Sequence, residues 1–272
     1  MATVLDRIVA KKLEEIAYAK KQRDLPSLRD AALHAPAPRD FLGALRGHDR
    51  VRLIAEVKKA SPSKGMIRPA FEPVQIATDY EAGGAAAISV LTDEPFFQGR
   101  LDYLTMIREA VSIPVLRKDF ILDEYQIYEA RVAGADAVLL IAECLDGSQL
   151  QEFYALIRQL GMTPLIELYA PEHLQRVLDT GTLLVGVNNR DLHTFAVDLE
   201  HVIRLKREMP NQISVVAESG IFTAADVKKL ADASIDAMLV GESLMRQQDV
   251  RQAVVNLLDY DRFEPSETGS DE

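Results

Sequence analysis

Eight short apolar runs, alternating with stretches of helical character, constrain this chain more than any other feature. They are Leu53–Val57, Ala86–Leu91, Val115–Arg117, Ala137–Ile141, Thr163–Glu167, Leu184–Val187, Ser214–Ala217 and Ala237–Val240. Such alternation implies βαβ units and a parallel sheet. Several runs are apolar throughout, as expected of strands covered on both faces. Run ends fall roughly 21 to 35 residues apart, close to the ~30 obtained when ~250 residues are shared among eight βα units. Ala82-Gly-Gly-Ala85 and Ala133-Gly-Ala-Asp136 lie where a helix ends and a strand begins, with Gly supplying a left-handed cap.

An open doubly wound sheet would show the same alternation, so the strand ends decide between the two. A dinucleotide-binding open sheet would carry Gly-x-Gly-x-x-Gly after its first strand, whereas here that strand runs into Lys58-Lys-Ala-Ser-Pro-Ser-Lys-Gly65. Nearly every run ends in polar or charged residues, and a closed barrel would gather all eight ends at one mouth. The expected fold is therefore α/β, a (β/α)8 TIM barrel with an N-terminal helical extension. Residues 1–48 form the extension packed on the barrel, 49–262 the catalytic barrel, and 263–272 an acidic disordered tail. In the extension, Thr3 and Asp6 cap a helix of about five turns bearing Leu5, Ile8, Val9, Leu13 and Ile16 at helical spacing. Pro26, Pro36 and Pro38 make 24–49 a connection, with at most a short helix at Phe41–Leu45.

The chain has 272 residues and 48% hydrophobic content, enough for a full core. A net charge of -11 opposes nucleic acid and anionic membranes as partners. No apolar run approaches the roughly 20 residues of a membrane span, and 1–12 lacks the apolar centre of a secretory signal. The single cysteine, Cys144, excludes an internal disulfide and fits a reducing cytoplasm, where it reads as a small buried apolar residue. A monomer acting on a small anionic substrate is the expected form.

Two chemistries suggest themselves at the mouth. The last two loops, Glu218-Ser219-Gly220 and Gly241-Glu242-Ser243, place small residues between a strand end and a helix start, where backbone N–H groups can hold a phosphate. The alternative is that both glycines merely make tight turns. Elsewhere Glu56 and Lys58 share a face of the first strand, while Lys118 and Glu167 end the third and fifth. Four charges in one cavity suit proton transfer near neutral pH, although any one of them alone could equally be a solvated rim charge. Lys58, Lys59, Lys64, Arg68, Arg117, Lys118 and Arg190 would attract an anion locally, and Ser61, Ser63 and Lys64 are a weak candidate for a lid hinged at Gly65. The five histidines show no ligand spacing, so no metal site is expected, and no Gly-x-Ser-x-Gly elbow is present.

Six strings, in order, resemble the indole-3-glycerol phosphate synthase family. They are Ile54-Ala-Glu-Val-Lys-Lys-Ala-Ser-Pro-Ser-Lys-Gly65, Ser89-Val-Leu-Thr-Asp93 with Phe96-Phe-Gln-Gly99, Pro114-Val-Leu-Arg-Lys-Asp-Phe120, Gly186-Val-Asn-Asn-Arg-Asp-Leu192, Ala217-Glu-Ser-Gly-Ile221 and Val240-Gly-Glu-Ser-Leu-Met245. The resemblance covers about residues 3 to 260 and implies closure of a pyrrole ring on 1-(2-carboxyphenylamino)-1-deoxyribulose 5-phosphate, with loss of carbon dioxide and water and no cofactor. It implies that Lys118 is the general acid, that Glu56, Lys58 and Glu167 are catalytic, and that Asn188 orients the reacting groups. Ser61 and Arg190 would then contact the substrate's polar ends, and Ser219, Gly220, Gly241 and Glu242 its phosphate. Pro62, Phe97, Phe120, Leu139 and Leu192 would wall the aromatic ring. Arg100, where the family usually has a small Ser, and Ile166-Glu-Leu-Tyr-Ala170 depart from the pattern. A related barrel, phosphoribosylanthranilate isomerase, would need a Cys where Glu56-Val-Lys58 stands, and a catalytically silent barrel would be expected to have lost one of the four charges.

Overall fold

Each of the eight runs is a strand in the computed structural model, which describes residues 3–191 and 196–262. They are β1 (Arg52–Val57), β2 (Ala87–Leu91), β3 (Val115–Lys118), β4 (Ala137–Ile141), β5 (Thr163–Leu168), β6 (Leu184–Asn188), β7 (Ser214–Glu218) and β8 (Ala237–Val240). Each pairs in parallel with its successor, and β8 closes the ring on β1 in the register Arg52↔Ala237 to Ala55↔Val240. The closed (β/α)8 barrel, preceded by an N-terminal helix, is thus as expected.

Successive strand residues face opposite ways, so each strand feeds two cores. Ile54, Leu116, Leu139, Leu165, Leu184, Val216 and Leu239 pack together inside the barrel. Leu53, Ala55, Ile88, Val115 and Val138 instead join the layer between sheet and helices. Among the described residues, no helix is long and apolar enough to cross a membrane.

The extension touches both ends of the barrel. Helix α1 (Val4–Gln22) starts at Thr3, whose hydroxyl accepts from the Asp6 N–H while the Asp6 carboxylate accepts from the Thr3 N–H. Helix α2 (Leu25–His34) lies in the stretch expected to be mere connection. The prolines misled that reading: Asp24 caps the helix by accepting from the Ser27 N–H, and Pro26 sits in the first turn, where no intrahelical bond is lost. Helix α3 (Phe41–Leu45) was expected, and it plugs the amino end of the barrel, with Phe41 and Leu45 in the interior core. Phe41 is fully buried, so Phe41→Ala should cost about 3–5 kcal/mol. A shift of the urea midpoint at unchanged m-value would report that loss; no shift would mean the plug is not part of the core.

Helix α1 is fastened to the opposite end through Lys12, a lysine only 4% exposed. Its ammonium lies 3.0 Å from both Asp93 Oδ2 and Asp119 Oδ1, and 2.7 Å from Glu15 Oε2. Burial works against the Lys12 charge, but Asp119 and Asp93 outweigh it and hold its pKa above the usual 10.5. Burial likewise disfavours the Asp119 carboxylate, but Lys12 and Arg117 outweigh it and hold its pKa below 3.8. The acid's contribution is present above 3.8 and lost as pH falls through its lower folded value. The amine's is full below 10.5 and lost as pH rises through its higher folded value. Docking of α1 should therefore be constant between about pH 5 and 9. Amide-exchange protection in α1, corrected for intrinsic rates, should stay level across that window, and a fall within it would contradict the assignment.

Candidate active site

The charged residues converge because of strand register. Glu56, Lys118, Glu167 and Glu218 are the last barrel-facing residues of the odd strands β1, β3, β5 and β7, and alternate strands of such a barrel contribute one layer of inward side chains. Small residues on even strands make room for them: Ser89 pairs with Glu56, and Gly186 with Glu167. Gly241, just beyond β8, is the third, since a methyl group there would lie 2.5 Å from Glu56 Oε2.

Lys118 Nζ stands 2.8 Å from Glu167 Oε2 and 3.1 Å from Glu218 Oε2. Asn188 donates from Nδ2 to Glu167 Oε1 at 3.1 Å, and its own Oδ1 accepts from the Arg190 backbone N–H at 3.0 Å, which fixes the amide. Glu56 Oε2 and Lys58 Nζ form a second pair at 2.5 Å.

These contacts sort the protons. Burial opposes the Lys118 ammonium, but Glu167, Glu218 and Glu56 overcome it and hold its pKa above the ordinary lysine value. Burial also raises Glu167, but Lys118 and Asn188 outweigh it, and the carboxyl titrates below its usual range. Glu218 goes the other way. Burial lifts it well above the usual value, Lys118 only partly compensates, and the neighbouring Glu167 adds to the rise. Its Oε1 is buried without a hydrogen-bond partner among the described residues, which favours the neutral form. The group is thus a cationic donor between a charged carboxylate and one prone to hold a proton, an arrangement suited to general acid–base chemistry.

One cleft takes in Glu56, Lys58, Ser61, Pro62, Phe97, Lys118, Phe120, Leu139, Glu167, Asn188, Arg190, Glu218, Ser219, Gly220, Gly241 and Glu242. Every site residue expected from sequence is therefore present except Leu192, which lies outside the described residues. Glu218, grouped by sequence with the anion-binding loops, instead contacts Lys118. Phe97 and Phe120 face each other with ring centroids 6.2 Å apart. Ser219 and Gly220 are successive left-handed residues, at φ 66° and 80°. Ser243 Oγ donates to the Ile221 carbonyl at 3.0 Å and ties the two final loops together.

Two expectations need correction, the extent of the basic lining and the burial of Cys144. Arg117 points out of the barrel, pairing with Glu129 at 2.8 Å and Asp119 at 3.3 Å, and Arg68 is spent on the carbonyls of Met245 and Gln247. The basic lining therefore reduces to Lys58, Lys118 and Arg190. The candidate lid forms a two-residue antiparallel pair, Ala60–Ser61 with Gly65–Met66. Arg100, at the second loop, turns outward to Asp102 at 2.7 Å. That loop is set by Asp93, whose Oδ1 accepts from the Phe96 N–H at 2.9 Å. Cys144 is half-buried rather than buried, and desolvation, then Glu143 and Glu167, push its thiol up to about 12. Sequence reasoning missed Val4, Leu5 and Ile8 of α1 as cleft-lining residues. The resemblance to the family implies that this helix packs over the barrel's active-site face, and the structure adds which of its residues reach the cleft.

The sequence model of the indole-3-glycerol phosphate synthase family matches residues 5–257. An indole-3-glycerol phosphate synthase from Rhodopirellula baltica is 57% identical over 256 residues, covering 94% of this chain and 99% of the relative. One from Neisseria meningitidis serogroup B is 48% identical over 260 residues, covering 94% and 100%. Among solved structures, a 3-hexulose-6-phosphate synthase superposes with a TM-score of 0.63 at 15% identity, over 77% of this chain and 99% of its own. The N-acetylmannosamine-6-phosphate 2-epimerase from Clostridium perfringens gives 0.59 at 17% identity, over 81% and 97%. At such identities these two structures speak to the fold alone.

Proposed function

The chain belongs to the indole-3-glycerol phosphate synthase family, and on that premise we propose how its residues divide the work. The reaction converts 1-(2-carboxyphenylamino)-1-deoxyribulose 5-phosphate to indole-3-glycerol phosphate, carbon dioxide and water, a step of tryptophan biosynthesis. The observation that carries the assignment is the Lys118 ammonium held between Glu167 and Glu218 in the cleft.

In the first step the ring carbon bearing the carboxylate bonds to the ketone carbon, and Lys118 delivers a proton to the carbonyl oxygen. The ring has lost its aromaticity and its nitrogen carries positive charge, which Glu167 and Glu56 stabilise. Departure of carbon dioxide returns its bonding electrons to the ring. The new hydroxyl then leaves as water while a carboxylate takes the proton needed to form the second double bond. Lys58 serves as the acid of this late step or holds the substrate's anionic groups. Glu218, prone to keep a proton, is placed to return one to Lys118. Bond making and breaking balance without oxidant or reductant.

Asn188 orients Glu167, while Arg190 and Ser61 meet the polar ends of the substrate. The backbone at Ser219, Gly220, Gly241 and Glu242 holds its phosphate, supported by the left-handed turn at Ser219 and Gly220. Pro62, Phe97, Phe120 and Leu139 bury the aromatic ring. A reducing compartment such as the cytoplasm fits the single cysteine. The test is direct: purified protein mixed with the substrate should develop indole fluorescence with no metal or nucleotide added. Absence of that signal at every pH tried would overturn the function.

A further inference from the structure

We propose that Lys12, on the N-terminal helix, is a positioning residue for the subsite that receives the substrate's aromatic ring. The inference rests on reading Phe97 and Phe120 as that ring's wall. Lys12 does not touch either phenyl group; it acts through the two barrel carboxylates it binds. Asp93 holds the ammonium with Oδ2 at 3.0 Å, and with Oδ1 it accepts the Phe96 N–H at 2.9 Å. That second contact caps the short helix Glu94–Phe97, which carries the first ring. Asp119 holds the ammonium with Oδ1 at 3.0 Å, and the same oxygen accepts the N–H of Phe120 at 2.8 Å. One buried cation thus ties together the supports of both rings, whose centroids are 6.2 Å apart.

Fastening the helix would not by itself require this arrangement. Lys20 already joins α1 to Asp123 at 2.7 Å through a partly exposed pair, and an ammonium buried as deeply as Lys12 carries a desolvation cost that an exposed tie avoids. Asp119 is braced from behind as well. Its Oδ2 accepts from Thr92 Oγ1 at 2.5 Å, and Arg117 approaches the same oxygen at 3.3 Å. The side chain between strand and helix is therefore fixed in direction, and Lys12 sets where its free face meets α1. One turn before Lys12 on the same helix, Ile8 lines the cleft beside these rings.

Lys12→Met keeps most of the stem and removes the charge. The expected result is a KM for 1-(2-carboxyphenylamino)-1-deoxyribulose 5-phosphate raised about tenfold, with kcat within about threefold of wild type. Inorganic phosphate, used as a competitive inhibitor, should keep its inhibition constant, because the final two loops do not contact Lys12. A purely structural anchor would lower the active fraction, and so apparent kcat, with KM unchanged; that outcome overturns the proposal. Phe120→Leu tests the premise separately. If it leaves KM unmoved, the ring-wall reading fails. If it raises KM while Lys12→Met does not, only the positioning role of Lys12 falls. Should Lys12→Met not fold, Asp93→Asn keeps an acceptor for the Phe96 N–H and loses the charge facing Lys12. It should raise KM by about threefold or more, and an unchanged KM would equally overturn the proposal.

Discussion

Lys118→Met is expected to reduce kcat by about three orders of magnitude while leaving KM within a few-fold, since general acids contribute about 10²–10⁴ in rate. The fold should survive. Met fills much of the space of the lysine stem, and the carboxylates it leaves behind, Glu167 and Glu218, need not both be ionised. Glu218 already tends to hold a proton, so the pair can share one rather than repel. The variant should therefore show a native-like far-UV spectrum and bind substrate without producing indole fluorescence. Turnover near wild type would remove Lys118 as the acid, and loss of substrate binding would make it a ground-state contact instead.

Gly186→Ala should be the second most damaging single change relative to its size. A methyl group there collides with Glu218 Oε1, while the backbone itself has no left-handed strain that would favour glycine. Glu218 is 2% exposed and paired with Lys118, so the methyl group must swing its carboxylate toward the cleft it lines and away from Lys118, or push the strands apart. Stability should fall by about 1–3 kcal/mol, and kcat by about 100-fold, as a misplacement on the order of 1 Å commonly costs. Gly147→Ala is the control: nothing lies within 4 Å of its added carbon, and its first-turn helical position should leave activity and stability near wild type. Equal effects from the two substitutions would show that Glu218 is not held by Gly186.

These two residues mark the boundary of what the sequence discloses. The strands were legible because runs buried on both faces are apolar end to end, and because the polar residues that interrupt them fall at one end of each. Lys118 and Glu167 were legible for the same reason: a charge at the last inward position of a buried strand needs a cavity or a partner. The contact between Lys118 and Glu218 was not, because it spans the barrel, and strand order alone does not say which ends meet across the middle. Gly186 reads as one more glycine until the register sets it beside Glu167 and beneath Glu218. Helix α2 was hidden by Pro26, which starts a helix in the first turn and breaks one elsewhere. Lys12 was hidden more thoroughly, since in a row of Lys and Glu on an amphipathic helix nothing distinguishes the buried lysine from its solvated neighbours.

The pairing of β8 with β1 has a consequence for the order in which the molecule assembles. Arg52 and Ala237 are register partners from opposite ends of the barrel sequence, with the Arg52 N–H donating to the Asp236 carbonyl at 2.9 Å, so the ring cannot shut until the last strand has been made, and such distant contacts slow folding. Gly241, which packs against Glu56, arrives with that strand. The strand that completes the wall beside Glu56 is therefore also the one that leaves room for its carboxylate.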